Sequence, residues 1–281
     1  MGDDVLRGLG ARPVVADALD PDAVGRAVAQ AEPEVIVHQL TALSGEIDMR
    51  HLDRFFAMTN RLRTEGTDHL LAAGRAAGVR RFVAQSYAGW PFARTGGPVK
   101  SENDPLDANP PKAMRSSFDA LRHVEEAVTH IDWAEGLVLR YGTFYGPGTG
   151  ISLDPEAPMT KPLRKRQFPL VGNGNGVWSF IHIEDAAAVT ATAVKQGAAG
   201  VYHIVDDDPA PVREWLPALA AALNAKPPMH VPQWIGRILA GEVLVSVMTQ
   251  IRGASNAKAK SEFGWRLRYP SWRLGFATGL G

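Results

Sequence analysis

The sequence predicts an α/β fold: a doubly wound parallel sheet with helices on both faces and a smaller C-terminal lobe. Short, nearly unbroken apolar runs at 35–38, 81–84 and 135–139 are too brief for helices and match strands buried on both faces. Stretches of helical periodicity separate them, the alternation that a parallel sheet requires. After Gly146 the texture shifts to Gly- and Pro-rich loops as far as residue 176. The division expected is therefore 1–150 for the sheet and 151–281 for the lobe. Residues 178–189 are expected to return to the sheet, so the lobe is interleaved with it.

In chain order, residues 4–10 read as a helix end closed by Gly10. Residues 14–16 form a short strand ending at Asp17, and 21–31 a helix with Asp20 as N-cap. The strand at 35–38 leads to a long helix, 52–77, stopped by Gly78, and then to the strand at 81–84. Residues 89–113, rich in Gly, Pro and Asn, read as an extended loop. A helix at 116–129 and a strand at 135–139 follow. In the lobe, strands are expected at 178–183 and 202–205, and helices at 184–195 and 211–223. The remainder mixes short helices with Pro turns.

Composition excludes several function classes. Thirty Lys and Arg balance thirty Asp and Glu, so no electrostatic footprint for nucleic acid or an acidic membrane surface exists. No cysteine is present, which removes disulfides, thiolate metal sites and cysteine nucleophiles. That usage suits a reducing cytoplasm, the expected location. No apolar run reaches transmembrane length. No H-E-x-x-H or G-x-S-x-G occurs, and no metal site is expected.

Several stretches, taken in order, resemble the NAD-dependent epimerase/dehydratase family, the extended short-chain dehydrogenases/reductases. VVADALD (14–20) resembles its third strand with the acidic residue beside the adenine. VIVHQLTAL (35–43) resembles the fourth strand, and TNRLRTEGTDHLLAAGRAAGVRRFVAQS (59–86) the Asn-bearing helix and fifth strand. LRYGTFYGPG (139–148), WSFIHIEDAAAV (178–189) and GVYHIVDDDPAPVREW (200–215) resemble the sixth strand and two substrate-lobe segments. The resemblance implies a Rossmann-like sheet, NAD or NADP as cofactor, a small-molecule substrate such as a nucleotide sugar, and a homodimer through the helices at 52–77 and 116–129.

Two departures stand out. No Gly-rich strand–turn–helix unit precedes residue 14, whereas such a turn cradles the pyrophosphate in this fold. The absent part amounts to two strands and a helix, about 40 residues, on the scale of a βαβ unit. The expectation is that an in-frame upstream segment encodes it, through a misplaced start or a truncated gene. The family's Tyr-x-x-x-Lys pair is also missing. The matching window, SSFDALRHVEEAV (116–128), puts Phe118 and Arg122 in those places. A one-residue shift puts Ser117 and Leu121 there. Phe has no proton to give, and Arg does not act readily as a base.

By resemblance, Ser86 holds the substrate oxygen, Arg122 the ribose, and Tyr87 is the candidate proton donor. Asp17 and Ala18 lie at the adenine. Gln39, Leu40 and Thr41 line the cofactor, Asn60 tethers backbone beside the fourth strand, and Tyr141, Gly142 and Thr143 meet the nicotinamide. Each has a purely structural alternative: a strand-end hydroxyl, a packed aromatic, a turn Asp. The basic run Arg164, Lys165 and Arg166 meets a substrate phosphate or is a solvated loop. The glycines and asparagines at 172–176 are turn chemistry. The activity implied is hydride transfer at a carbonyl or hydroxyl carbon. The alternatives are a non-catalytic ligand-binding relative and an inactive fragment.

Overall fold

The computed structural model describes residues 3–43 and 51–281. Its main sheet has four parallel strands in chain order: β1 (Val35–His38), β2 (Arg81–Tyr87), β3 (Glu135–Tyr141) and β4 (Gly200–Ile204). The helices in chain order are α1 (Asp3–Gly8), α2 (Pro21–Ala31), α3 (Leu52–Arg61), α4 (Thr67–Ala76), α5 (Arg115–Thr129), α6 (Thr160–Arg164) and α7 (Ile183–Ala193). They continue with α8 (Val212–Ala222), α9 (Gln233–Thr249), α10 (Ala257–Phe263) and α11 (Trp272–Thr278).

Apolar strand faces drive helices onto both sides of the sheet. Phe82, Ala84 and Val138 pack with Val124 and Val128 of α5, while Val83, Leu137 and Leu139 pack with Ala186, Val189 and Ala193 of α7. Asp20 caps α2 as expected, its Oδ1 accepting from the Asp22 and Ala23 amides at 2.9 and 3.2 Å. Gly136 is fixed by close approach: a Cβ there would overlap the Val128 carbonyl oxygen. Neither backbone can retreat inside the packed layer. Gly136→Ala should therefore cost about 2–3 kcal/mol, the upper range for overpacking, read as a lowered Tm with unchanged cooperativity.

The strand expected at 14–16 does not form. Val14 and Val15 are 51% and 92% exposed and make no ladder. A strand needs a partner for its amides and carbonyls, and no described strand flanks the outer edge of β1. The long helix expected at 52–77 is two helices joined by a π-helical turn, Leu62–Gly66. The segment expected to return to the sheet lies beyond it. Phe180–His182 pairs with Thr143–Tyr145, and the strand that joins β3 is β4. Among the described residues no helix is long and apolar enough to cross a membrane.

Candidate functional site

Parallel strands bring their carboxyl ends to one edge, and there a doubly wound sheet places its ligands. Register sets Ser86 opposite Arg140 and Tyr87 opposite Tyr141. Beyond Tyr141 the chain stays close to its neighbours, with the Gly142 amide donating to the Ile204 carbonyl at 3.0 Å. A Cβ at Gly142 would lie 2.8 Å from the Ser179 carbonyl oxygen, so only glycine fits.

Three polar chains converge on this edge. In the first, Gln39 Nε2 donates to Tyr141 Oη at 3.3 Å, and Tyr141 donates to Thr190 Oγ1 at 2.5 Å. Thr190 spends its own proton on the Ala186 carbonyl, which fixes that direction. In the second, Tyr87 Oη lies 3.2 Å from Thr143 Oγ1, and burial raises the Tyr87 phenol above its usual pKa. Both tyrosines are kept protonated, since burial also raises Tyr141. In the third, His38 Nδ1 accepts from the Leu40 amide, so its Nε2 donates to Thr67 Oγ1 at 3.0 Å. Thr67 donates in turn to the Arg63 carbonyl. Burial, with the Arg63 charge nearby, lowers His38 to about 4, consistent with that neutral tautomer.

Ser86 lies one layer deeper. Its hydroxyl donates to Glu125 Oε1 at 2.6 Å, and Arg140 grips both Glu125 oxygens at 2.7 and 2.6 Å. Arg140 Nη1 reaches His203 Nε2 at 3.3 Å, and all four side chains are buried. Burial, aided by the Arg140 charge, lowers His203 to about 3.

The other expected residues separate. Arg122 turns to the long loop, donating to the Asp107 carbonyl at 2.7 Å and lying 3.4 Å from Asp119. Asp17 is exposed and closes a turn by accepting from the Leu19 amide, and the Ala18 carbonyl accepts from His69. Thr41 is half-buried and Leu40 exposed beyond β1. The backbone tether expected of Asn60 comes from Thr59, whose Oγ1 accepts from the Ala42 amide at 3.0 Å. Asn60 instead donates to Ser117 and Ser116 at the start of α5, and its Oδ1 has no partner among the described residues. Arg164, Lys165 and Arg166 are exposed. His182, whose neighbours are two acids, caps α7 by accepting from the Glu184 amide and donates to the Gly279 carbonyl.

Two features escaped the sequence reading. Arg63 is only 6% exposed, and its Nη1 has no hydrogen-bond partner among the described residues. Spacing held the signal: Asn60, Arg63 and Thr67 fall on one helical face, and it is the buried one. The second is an aromatic group at the sheet edge. Trp90 packs against Phe118 at 5.0 Å, Tyr87 at 5.4 Å and Phe56 at 6.5 Å between ring centroids.

A nicotinamide cofactor fits this edge in part. Thr143 and the Tyr141 phenol lie at the edge, and Asn60 Oδ1 is an acceptor with no partner among the described residues. Among the described residues no Gly-rich turn runs from a strand into a helix to cradle a pyrophosphate.

Comparison with known proteins gives the same architecture. The sequence model of a family described as the NAD dependent epimerase/dehydratase family matches residues 3–205. A Streptomyces 3-diazoavenalumate denitrifying reductase is 46% identical over 265 residues, which is 94% of this chain and 85% of the relative. Among solved structures, a UDP-glucose 4-epimerase from Thermotoga maritima, bound to UDP-glucose, superposes with a TM-score of 0.73 at 20% identity. It covers 96% of this chain and 83% of its own. A dTDP-glucose 4,6-dehydratase from Streptomyces venezuelae, bound to NAD, gives 0.72 at 22% identity, covering 99% and 82%.

Proposed function

The chain belongs to the NAD-dependent epimerase/dehydratase family, and on that premise we propose that it is an NAD(P)H-dependent reductase of an aromatic diazo acid, releasing dinitrogen. One observation carries the reading: the chain is 46% identical to a denitrifying diazo reductase while lacking the family's Tyr-x-x-x-Lys pair. The two halves fit chemically. A carbonyl that accepts hydride becomes an alkoxide and needs a proton. An aryl diazonium that accepts hydride at its ring carbon needs none. The C–H bond forms, the C–N bond breaks, and its electron pair leaves with N₂. Overall, ArN₂⁺ and NAD(P)H give ArH, N₂ and NAD(P)⁺. Phe118 in the tyrosine place then costs the reaction nothing.

The chain's own residues have positioning work. Bound at this edge, NAD(P)H would supply the hydride. Tyr141, Gly142, Thr143 and Asn60 would hold its nicotinamide end, with Gln39 and Thr190 fixing the Tyr141 ring. Trp90, backed by the buried Phe118, gives the substrate ring an apolar wall and keeps water from the reactive carbon.

A second reading is hydride transfer at a carbonyl or hydroxyl carbon of a nucleotide sugar, supported by the fold shared with the UDP-glucose epimerase. There Tyr87, kept protonated, would give the proton when a carbonyl is reduced. Ser86 would exchange its Glu125 bond for the substrate oxygen. The proposal also includes a homodimer through the outer faces of α3, α4 and α5, where Met58 lies exposed, testable by light scattering.

The test is NADPH oxidation with a diazotised aminocinnamic acid, with evolved gas sampled by mass spectrometry, beside reduction of NAD⁺ or NADP⁺ with UDP-glucose. The expected result is NADPH loss and matching N₂ with the diazo acid alone. Turnover of the sugar alone would favour the second reading, and cofactor binding without any turnover would favour a non-catalytic relative.

A further inference from the structure

Resting on the diazo-acid reading, we propose that Arg63 is the carboxylate-recognition residue of this site and that, with the aromatic group around Trp90, it selects planar aryl carboxylates. Arg63 sits on the π turn after α3, near enough to His38 and Tyr87, at the carboxyl ends of β1 and β2, for its charge to act on both. It is 6% exposed, and its Nη1 has no hydrogen-bond partner among the described residues. Burial lowers its pKa to about 10, so it stays charged at neutral pH. A buried guanidinium with an open donor is costly until an anion meets it.

Among the described residues no carboxylate satisfies it. Glu125 is close enough to act on Arg63 through space, yet its oxygens are taken by Arg140 and Ser86. Tyr87, the other group acting on Arg63, is held neutral by burial. Among the described residues none supplies that anion, and a ligand can. A guanidinium fork suits a carboxylate, which it can grip with two parallel bonds.

The surroundings say what that carboxylate is attached to. Tyr87 links the two: the Arg63 charge acts on its phenol, and its ring packs at 5.4 Å against Trp90. Trp90 and Phe56 are half-buried, so the cluster keeps ring surface open, while Phe118 is buried beneath. An aromatic ring lying on Trp90 and an anion on Arg63 describe one ligand, apolar and flat at one end and acidic at the other.

The test uses cinnamate, which carries the ring and carboxylate and no diazo group, with cinnamyl alcohol as the uncharged counterpart. Binding is read by calorimetry and by quenching of tryptophan fluorescence. The wild type should bind cinnamate and bind the alcohol at least 10-fold more weakly. Arg63→Gln should lose about 10- to 100-fold in cinnamate affinity, the range for a hydrogen bond to a charged group. It should keep its NADPH dissociation constant. Arg63→Lys should recover part of the loss, and it carries the test if the Gln variant fails to fold. Failure of the wild type to bind cinnamate overturns the proposal. Equal cinnamate binding by wild type and variants overturns it, as does a loss confined to NADPH, which would give Arg63 to the dinucleotide. Because no diazo chemistry is involved, Arg63-dependent cinnamate binding stands even if no diazo acid is reduced. Reduction without that dependence would keep the reading and sink this inference.

Discussion

Replacing Glu125 with Leu should cost about 3–5 kcal/mol, the range for breaking a buried ion pair by removing one partner. Arg140, bound to both Glu125 oxygens, would keep its charge in a layer without water. Ser86 would lose its acceptor as well. At about 2–4 °C per kcal/mol for a chain of this size, Tm should fall by about 10 °C. The loss comes from an abandoned charge more than from a missing bond. Glu125→Leu combined with Arg140→Met should therefore recover much of it, since a well-packed apolar pair can replace a buried ion pair. Denaturant melts of the two variants check this, and equal losses in both would refute the charge argument.

Acid should destabilise the fold from about pH 6.5 downward. Two buried histidines are held neutral, His38 lowered from 6.5 to about 4 and His203 from 6.5 to about 3. The sign follows from where the protons go. Below pH 6.5 the unfolded chain protonates both rings and the folded chain does not, so stability falls as pH drops. The loss accumulates until each folded pKa is reached. At about 1.4 kcal/mol per pH unit per ring it amounts to several kcal/mol. Asp206 works the other way: burial raises it, so the folded state takes up a proton first and regains stability as pH falls. Comparing wild type with His38→Gln across pH 6.5 to 4 isolates one ring. The variant should show a smaller drop over that window, and a parallel curve would contradict the assignment.

What could be read from the sequence follows from what its signals measure. An apolar run such as Ile36 or Phe82 and Val83 reports burial on both faces, and burial is what makes a central parallel strand. The strands at 35, 81 and 135 and the α5 helix were therefore legible. The run at Val14 has the same composition, yet composition says nothing about whether a neighbouring ladder is present, and there it is not. The π turn at Leu62–Gly66 has no compositional mark either.

The site was harder to read, because reading a charge as solvated is right at most positions. Glu125 and Arg140 defeat that rule by satisfying each other across two elements, α5 and β3. Arg63 defeats it by satisfying no one among the described residues. Phe118 was legible as an absence of acid, but its packing against Trp90 depends on how the 89–113 loop folds back. Arg122 shows the reverse: the sequence offered a cation at the expected helical spacing, and the loop carbonyl of Asp107 claims it.

The central claim, hydride delivery to a diazo-bearing carbon without an enzyme acid, is met most directly by an isotope label. A single turnover of a diazotised aminocinnamic acid with NADPH deuterated at its transferring carbon, in ordinary water, is the measurement. The account predicts an arene carrying deuterium at the carbon that bore the diazo group, with one N₂ released. An arene carrying solvent hydrogen at that carbon, or nitrogen retained in the product, would contradict it.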